Sequence, residues 1–197
     1  MKPTLFPRLA LSLLTTLLAG VAQAAIETCN FDGDDFYVHT DHGTYRQSVD
    51  AFADSQYDCS DSLAAIYDGD DFYVFNDKTL SFYRMGAEDN FSYAKLVVTD
   101  TLAGVYDGDD FYVFDASFNN FSRQGVDDYY SKAAIAGLRN GIILYDGDDV
   151  YAFCRGNFSR DGNVDDNAVG YSGRRGIQVN DASYTIDSNC TIKRWRN

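Results

Sequence analysis

The stretch Asp68-Gly69-Asp70-Asp71-Phe72-Tyr73-Val74-Phe75 returns unchanged at 107–114, as DGDDVYAF at 146–153 and as DGDDFYVH at 32–39. The four starts lie 36, 39 and 39 residues apart. Self-similarity at a fixed period of this size marks a repeat architecture, in which each unit buries its apolar face only against its neighbours. The unit is β in character. DG and GD are hairpin-turn pairs, and the residues after them are aromatic and β-branched.

Unit two shows the plan most clearly. Residues 63–67 read as a strand, DGDD as a tight turn, 72–75 as a second strand, 80–85 as a third and 93–98 as a fourth. Unit three repeats this at 111–114, 118–123, 130–138 and 142–145; its Ala-rich segment 132–138 reads as strand because it stands where unit two has a Val-rich one. In unit one the turn leads to strands at 36–40 and 44–49. In unit four, strands at 150–153 and 157–160 precede a Gly-, Asp- and Asn-rich stretch, 161–176, that reads as a long loop. Closing strands follow at 177–180, 183–187 and 191–195. Alternation along 72–75 puts Phe72 and Val74 on one face and Tyr73 and Phe75 on the other. Both faces are apolar, so these strands are expected to be covered on both sides. The fold class is therefore all-β, with four antiparallel units of about 39 residues near 29–62, 63–101, 102–140 and 141–197. Four strands per unit in meander order suit a β-propeller blade, and four blades would make a small closed propeller. A βγ-crystallin-like sandwich and a β-trefoil are the alternatives.

Residues 1–24 read as a cleaved secretory signal. Lys2 and Arg8 precede an apolar run at 9–21, and Ala22-Gln23-Ala24 is a small-residue cleavage site. The run is too short to span a bilayer comfortably, so no transmembrane segment is expected and the mature chain, 25–197, is placed outside the cell or in the periplasm. Without Lys2 and Arg8, 14 basic residues face 30 acidic ones, a net charge of −16. Such a charge argues against nucleic acid and against anionic membrane surfaces as partners. Both prolines lie in the leader, which leaves the mature strands without their usual breaker.

Two resemblances follow from the repeated words. The stretch AAIYDGDDFYVFNDKTLSFYR at 64–84 resembles the blade hairpin of hemopexin-type repeats, which implies a propeller whose first and last blades are joined by a disulfide. Units of this length beginning Tyr-xxxx-Phe, with Glu88-Asp89-Asn90-Phe91-Ser92 and Asp127-Asp128-Tyr129-Tyr130-Ser131, are similar to βγ-crystallin units and their calcium loops. Cys29, Cys59, Cys154 and Cys190 all lie in the exported part and read as two disulfides. Cys29 and Cys190 bracket the array, so pairing them would close it. Pairing within each half, Cys29 with Cys59 and Cys154 with Cys190, is the other arrangement.

The candidate chemistry is periodic. Carboxylates one residue apart around a glycine suit a hard cation such as Ca²⁺, which makes Asp32, Asp34, Asp35, Asp68, Asp70, Asp71, Asp107, Asp109, Asp110, Asp146, Asp148 and Asp149 candidate ligands. The same residues also serve as plain hairpin turns. Arg46, Arg84, Arg123 and Arg160 follow their units' first Asp by 14, 16, 16 and 14 residues. With Tyr37, Tyr73, Tyr112 and Tyr151 they form a repeated set able to receive an anionic or glycan ligand, or to pair with the Asp clusters inside each blade. The two histidines, His39 and His42, have no catalytic context. The basic residues Arg174-Arg175 and 193–196 stand apart from the acidic remainder. The expectation is a non-enzymatic binding module for a glycan, cell-surface or protein partner, stabilised by calcium. A calcium-binding structural repeat without a separate ligand is the alternative.

Overall fold

A computed structural model describes residues 25–50, 52–87, 91–126, 130–162, 164 and 168–196. Residues 1–24, read above as a secretory signal, lie outside these residues, as do Glu88, Asp89, Asn90, Asp127, Asp128 and Tyr129 of the segments compared above with calcium loops. The described chain is all-β, with 19 strands in five antiparallel sheets. The first sheet has three strands, β1 (Ile26–Phe31), β2 (Asp35–Thr40) and β3 (Gly43–Ser48). The second is β4 (Gln56–Cys59), β5 (Leu63–Tyr67), β6 (Asp71–Asn76) and β7 (Ser81–Gly86). The third is β8 (Lys95–Val98), β9 (Leu102–Tyr106), β10 (Asp110–Asp115) and β11 (Asn120–Gly125). The fourth is β12 (Ala134–Leu138), β13 (Gly141–Tyr145), β14 (Val150–Cys154) and β15 (Asn157–Asp161). The fifth is β16 (Gly170–Gly173), β17 (Gly176–Val179), β18 (Ala182–Ile186) and β19 (Ile192–Arg196). Each sheet is a simple meander, the order of a propeller blade.

The sheet frame is shifted by one strand from the sequence unit. Residues 93–98, read as the end of unit two, hold β8, which pairs with β9 and so opens the third sheet. The closing strands of unit four are a sheet of their own, and the stretch read as a loop supplies its first strand, β16, paired to β17 from Gly170↔Val179 to Gly173↔Gly176. The array thus has five sheets where the DGDD count suggested four.

Each sheet packs on the next through one apolar core. Phe36 and Val38 meet Tyr73 and Phe75 between the first and second sheets; Phe72 and Val74 meet Tyr112 and Phe114 between the second and third. Phe111 and Val113 meet Tyr151 and Phe153, and Val150 and Ala152 meet Tyr184, Ala182 and Ile186. The expected two-sided burial holds: β6 and β10 are buried at all their positions. Four cores join five sheets in a row, and among the described residues none joins the fifth to the first.

The end sheets carry the mark of this. In β2 and β18 buried and partly exposed residues alternate, so each has one covered face. The disulfides follow the same logic. Cys29 bonds Cys59 and Cys154 bonds Cys190. The first bridge ties β1 to β4 and the second ties β14 to the turn before β19, so each anchors an end sheet to its inner neighbour. The end-to-end pairing is not formed.

Candidate functional site: the acidic corners

The DGDD words are two-residue hairpin turns. Asp68 N–H bonds the Asp71 carbonyl at 3.1 Å, which leaves Gly69 and Asp70 as the loop. Gly33, Gly69, Gly108 and Gly147 have φ between 108° and 136°, a conformation that side chains oppose, at the position such hairpins reserve for glycine. The first Asp braces the turn. Asp68 Oδ1 accepts from the Asp70 and Asp71 N–H groups at 3.2 and 2.8 Å, and Asp32, Asp107 and Asp146 accept from the last Asp of their own turns at 2.9, 2.9 and 3.0 Å. These N–H groups hold the Asp32 carboxyl below the usual carboxylate range.

The second Asp of each turn acts first through its backbone. Its carbonyl accepts from the residue that begins the connector to the next sheet: Val49, Ala87, Val126 and Val164. Those side chains are buried, so the corner fixes where the chain leaves one sheet for the next.

The last Asp anchors a pair of partners. Arg46 Nη2 lies 2.7 Å from Asp35 Oδ2 and Arg84 Nη2 lies 2.6 Å from Asp71 Oδ2; Arg123 pairs with Asp110 and Arg160 with Asp149 in the same way. The Tyr73 and Tyr112 hydroxyls donate to Asp71 and Asp110 at 3.1 Å each, and Tyr37 donates to Asp35 at 3.4 Å. Arg84, Arg123 and Arg160 also lie over the rings of Tyr73, Tyr112 and Tyr151 at 5.8, 5.6 and 5.6 Å. The β6–β7 register, Tyr73↔Arg84, makes this contact. Burial, with the carboxylate beside it, pushes the Tyr73 hydroxyl up to about 12. The repeated arginines and tyrosines are therefore brought together within each sheet. Tyr73, Tyr112 and Tyr151 lie buried between sheets and offer no free face for a sugar.

The corners differ at one atom. Asp68 Oδ2 accepts the Asp50 N–H at 3.0 Å. Asp107 Oδ2 and Asp146 Oδ2 are equally buried and have no hydrogen-bond partner. Burial pushes both carboxyls up to about 7. At the third corner, carboxylate oxygens of Asp107, Asp109 and Asp110 lie within 4.8 Å of one another. Among the described residues no other group of acids or histidines gathers so closely.

The fifth sheet was hidden from repeat counting because it lacks the acidic word. Its β17–β18 turn is Asn180-Asp181, with Asn180 at φ 52°. Arg194 still lies 5.6 Å over Tyr184, its register partner. Spacing gives the signal: Tyr184 precedes Arg194 by 10 residues, against 9 to 11 in the other units.

His39 is explained by position. It stands where Phe75, Phe114 and Phe153 are buried, on the uncovered face of β2. Its ring nitrogens lie 2.9 Å from Thr44 Oγ1 and 2.9 Å from Asn30 Oδ1.

No helix among the described residues is long and apolar enough to cross a membrane. No protein-family model matches the chain, and no curated protein matches its sequence. Solved structures that are similar include Hsv2 of Kluyveromyces lactis (9% identity, TM-score 0.45, covering 88% of this chain and 61% of that one). Others are the N-terminal domain of Nup159 (9%, 0.45, 84% and 53%) and the WD40 domain of SCAP from fission yeast (9%, 0.37, 89% and 53%). The chain spans less than two thirds of the length of each. The strand order itself makes this an all-β array of propeller-like blades.

Proposed function

We propose that the protein is an exported binding module for an extracellular partner, a row of blade-like sheets in which the third acidic corner holds a hard divalent cation, Ca²⁺. The observation that carries the cation is Asp107 Oδ2, a buried carboxylate oxygen without a partner beside the Asp109 and Asp110 carboxylates. An all-oxygen, acidic donor set suits calcium. A cation there offsets the cost of burying Asp107 and its repulsion from its neighbours. Asp146 repeats the orphaned oxygen at the fourth corner. Asp110 Oδ2 already serves Arg123 and Tyr112, so its contribution is its other oxygen. Export is supported by the leader-like first 24 residues and by two disulfides.

The test is thermal unfolding of the oxidised mature protein with Ca²⁺, with Mg²⁺ and with chelator. A saturable rise in Tm with Ca²⁺, removed by Asp107→Asn, is the expected result. Equal Tm values with Ca²⁺ and chelator would leave the corners as turns alone.

A further inference from the structure

The outward face of the fifth sheet is where a sixth sheet would pack. At the register positions of Tyr67 and Phe72, Tyr106 and Phe111, this sheet has Gln178 and Ser183. The substitution ends the row, yet the face is not simply polar. Pairing runs Tyr171↔Gln178↔Ser183↔Trp195 across all four strands. Residues directly opposite share a face, so an aromatic ring stands at each edge with an amide and a hydroxyl between. Three strand spacings separate the rings, about 14 Å. Tyr171 is 63% exposed and Trp195 48% exposed.

Two concave regions meet here. One, of about 380 Å³, runs from Tyr171 to Gln178 along the β16–β17 hairpin. The other, of about 740 Å³, lies between Arg139-Asn140 and Trp195. Arg175, Ser183 and Tyr184 line both. The charge is the reverse of the remainder. Residues 168–196 hold five cations against Asp181 and Asp187. Arg174 and Arg175 form the β16–β17 turn and Lys193 alternates onto the same side as Trp195, while Arg194, over Tyr184, and Arg196 lie on the other side.

We infer that this face binds an anionic saccharide chain. The rings at the two edges offer stacking platforms, Gln178 and Ser183 offer hydrogen bonds to hydroxyls, and Arg175 offers a planar fork to a carboxylate or sulfate. Charge complementarity selects the occupant: Arg174, Arg175 and Lys193 are local cations on or beside this face of an otherwise acidic protein. A neutral glycan therefore gains less here than an anionic one, and the paired rings favour sugar rings as the carrier of that charge. The assignment rests on the binding-module reading and is independent of the cation corners.

Trp195 is the lone tryptophan of the chain, so its fluorescence reports this face alone. Oligogalacturonate is titrated into the mature protein, with a neutral dextran oligomer and inorganic polyphosphate alongside. The expected result is a saturable emission change with oligogalacturonate only. Its affinity falls at least tenfold in Arg175→Ala and in Tyr171→Ala and is unchanged in Lys78→Gln, an exposed turn residue of the second sheet. Equal responses to polyphosphate or to dextran overturn the saccharide or the charge assignment. A change on raising protein concentration alone gives the face to a second copy and overturns it as well. Glycan-array binding by the same protein separates the two readings. Array binding without a Trp195 response overturns this face and keeps a glycan-binding module, whereas silence in both overturns the saccharide assignment and narrows the module to a protein partner.

Discussion

The Arg194 guanidinium lies 5.6 Å over the Tyr184 ring, the relation Arg84 holds to Tyr73 at 5.8 Å. In the second and third sheets a carboxylate completes the set, bonded to both arginine and tyrosine. At Tyr184 the corresponding position is Ala182, and the Tyr–Arg contact persists without it. The stacked pair thus persists where the acidic turn is absent, and it carries the repeat into the fifth sheet.

The tyrosine's two roles separate by substitution. Tyr112→Phe keeps the buried ring and removes the bond to Asp110, and is expected to cost about 1 kcal/mol. Tyr112→Ala opens a cavity between the second and third sheets and is expected to cost about 3–5 kcal/mol. Urea denaturation of both variants checks the difference.

The uncovered face of β2 predicts an asymmetry between equivalent positions. Phe114→His places a polar ring in a core covered on both sides, and is expected to cost more than about 2 kcal/mol unless the ring finds partners. His39→Phe is expected to change stability by less than about 0.5 kcal/mol, while raising self-association through an exposed apolar face. Chemical denaturation and sedimentation velocity measure the two effects.

Asp107 and Asp146 predict a pH response. Their folded values, about 7, lie above the ordinary 3.8. The folded state therefore holds these protons more tightly than the unfolded chain. The resulting stability is complete below about pH 4 and is lost as pH rises through about 7. In chelator, Tm should fall between pH 5 and pH 8, and Asp107→Asn with Asp146→Asn should flatten that fall. Calcium at pH 8 should restore the wild-type Tm.

Each disulfide fastens an end sheet. Replacing Cys154 and Cys190 by alanine frees a loop worth about 4 kcal/mol of closure entropy. Hydrogen exchange should then rise first in 170–196 and leave 63–113 protected. Uniform loss of protection along the chain would contradict this.

Much of this architecture is legible in the chain because the DGDD words dictate both a turn and a two-faced strand. Phe72 and Tyr73 were assignable to opposite faces by alternation alone, and the structure places them in different cores. Three things were not legible. The sheet frame was hidden because β8 is contiguous with unit two in sequence yet bonds forward to β9. The fifth sheet was hidden because Asn180-Asp181 forms the same hairpin with different chemistry. At the corners, each Asp has its own task, and sequence cannot say which oxygen is left over. That depends on whether a connector N–H such as that of Asp50 arrives.

A row with one core per junction has no circumference to satisfy. In a closed ring, adding or removing a blade changes every angle between neighbours. Here a duplicated 39-residue unit, the spacing of the inner words, would meet the same two surfaces wherever it was inserted between the second and fourth sheets. Gene duplication and unequal recombination can therefore lengthen or shorten this protein without redesigning it, and only the two end sheets must be kept.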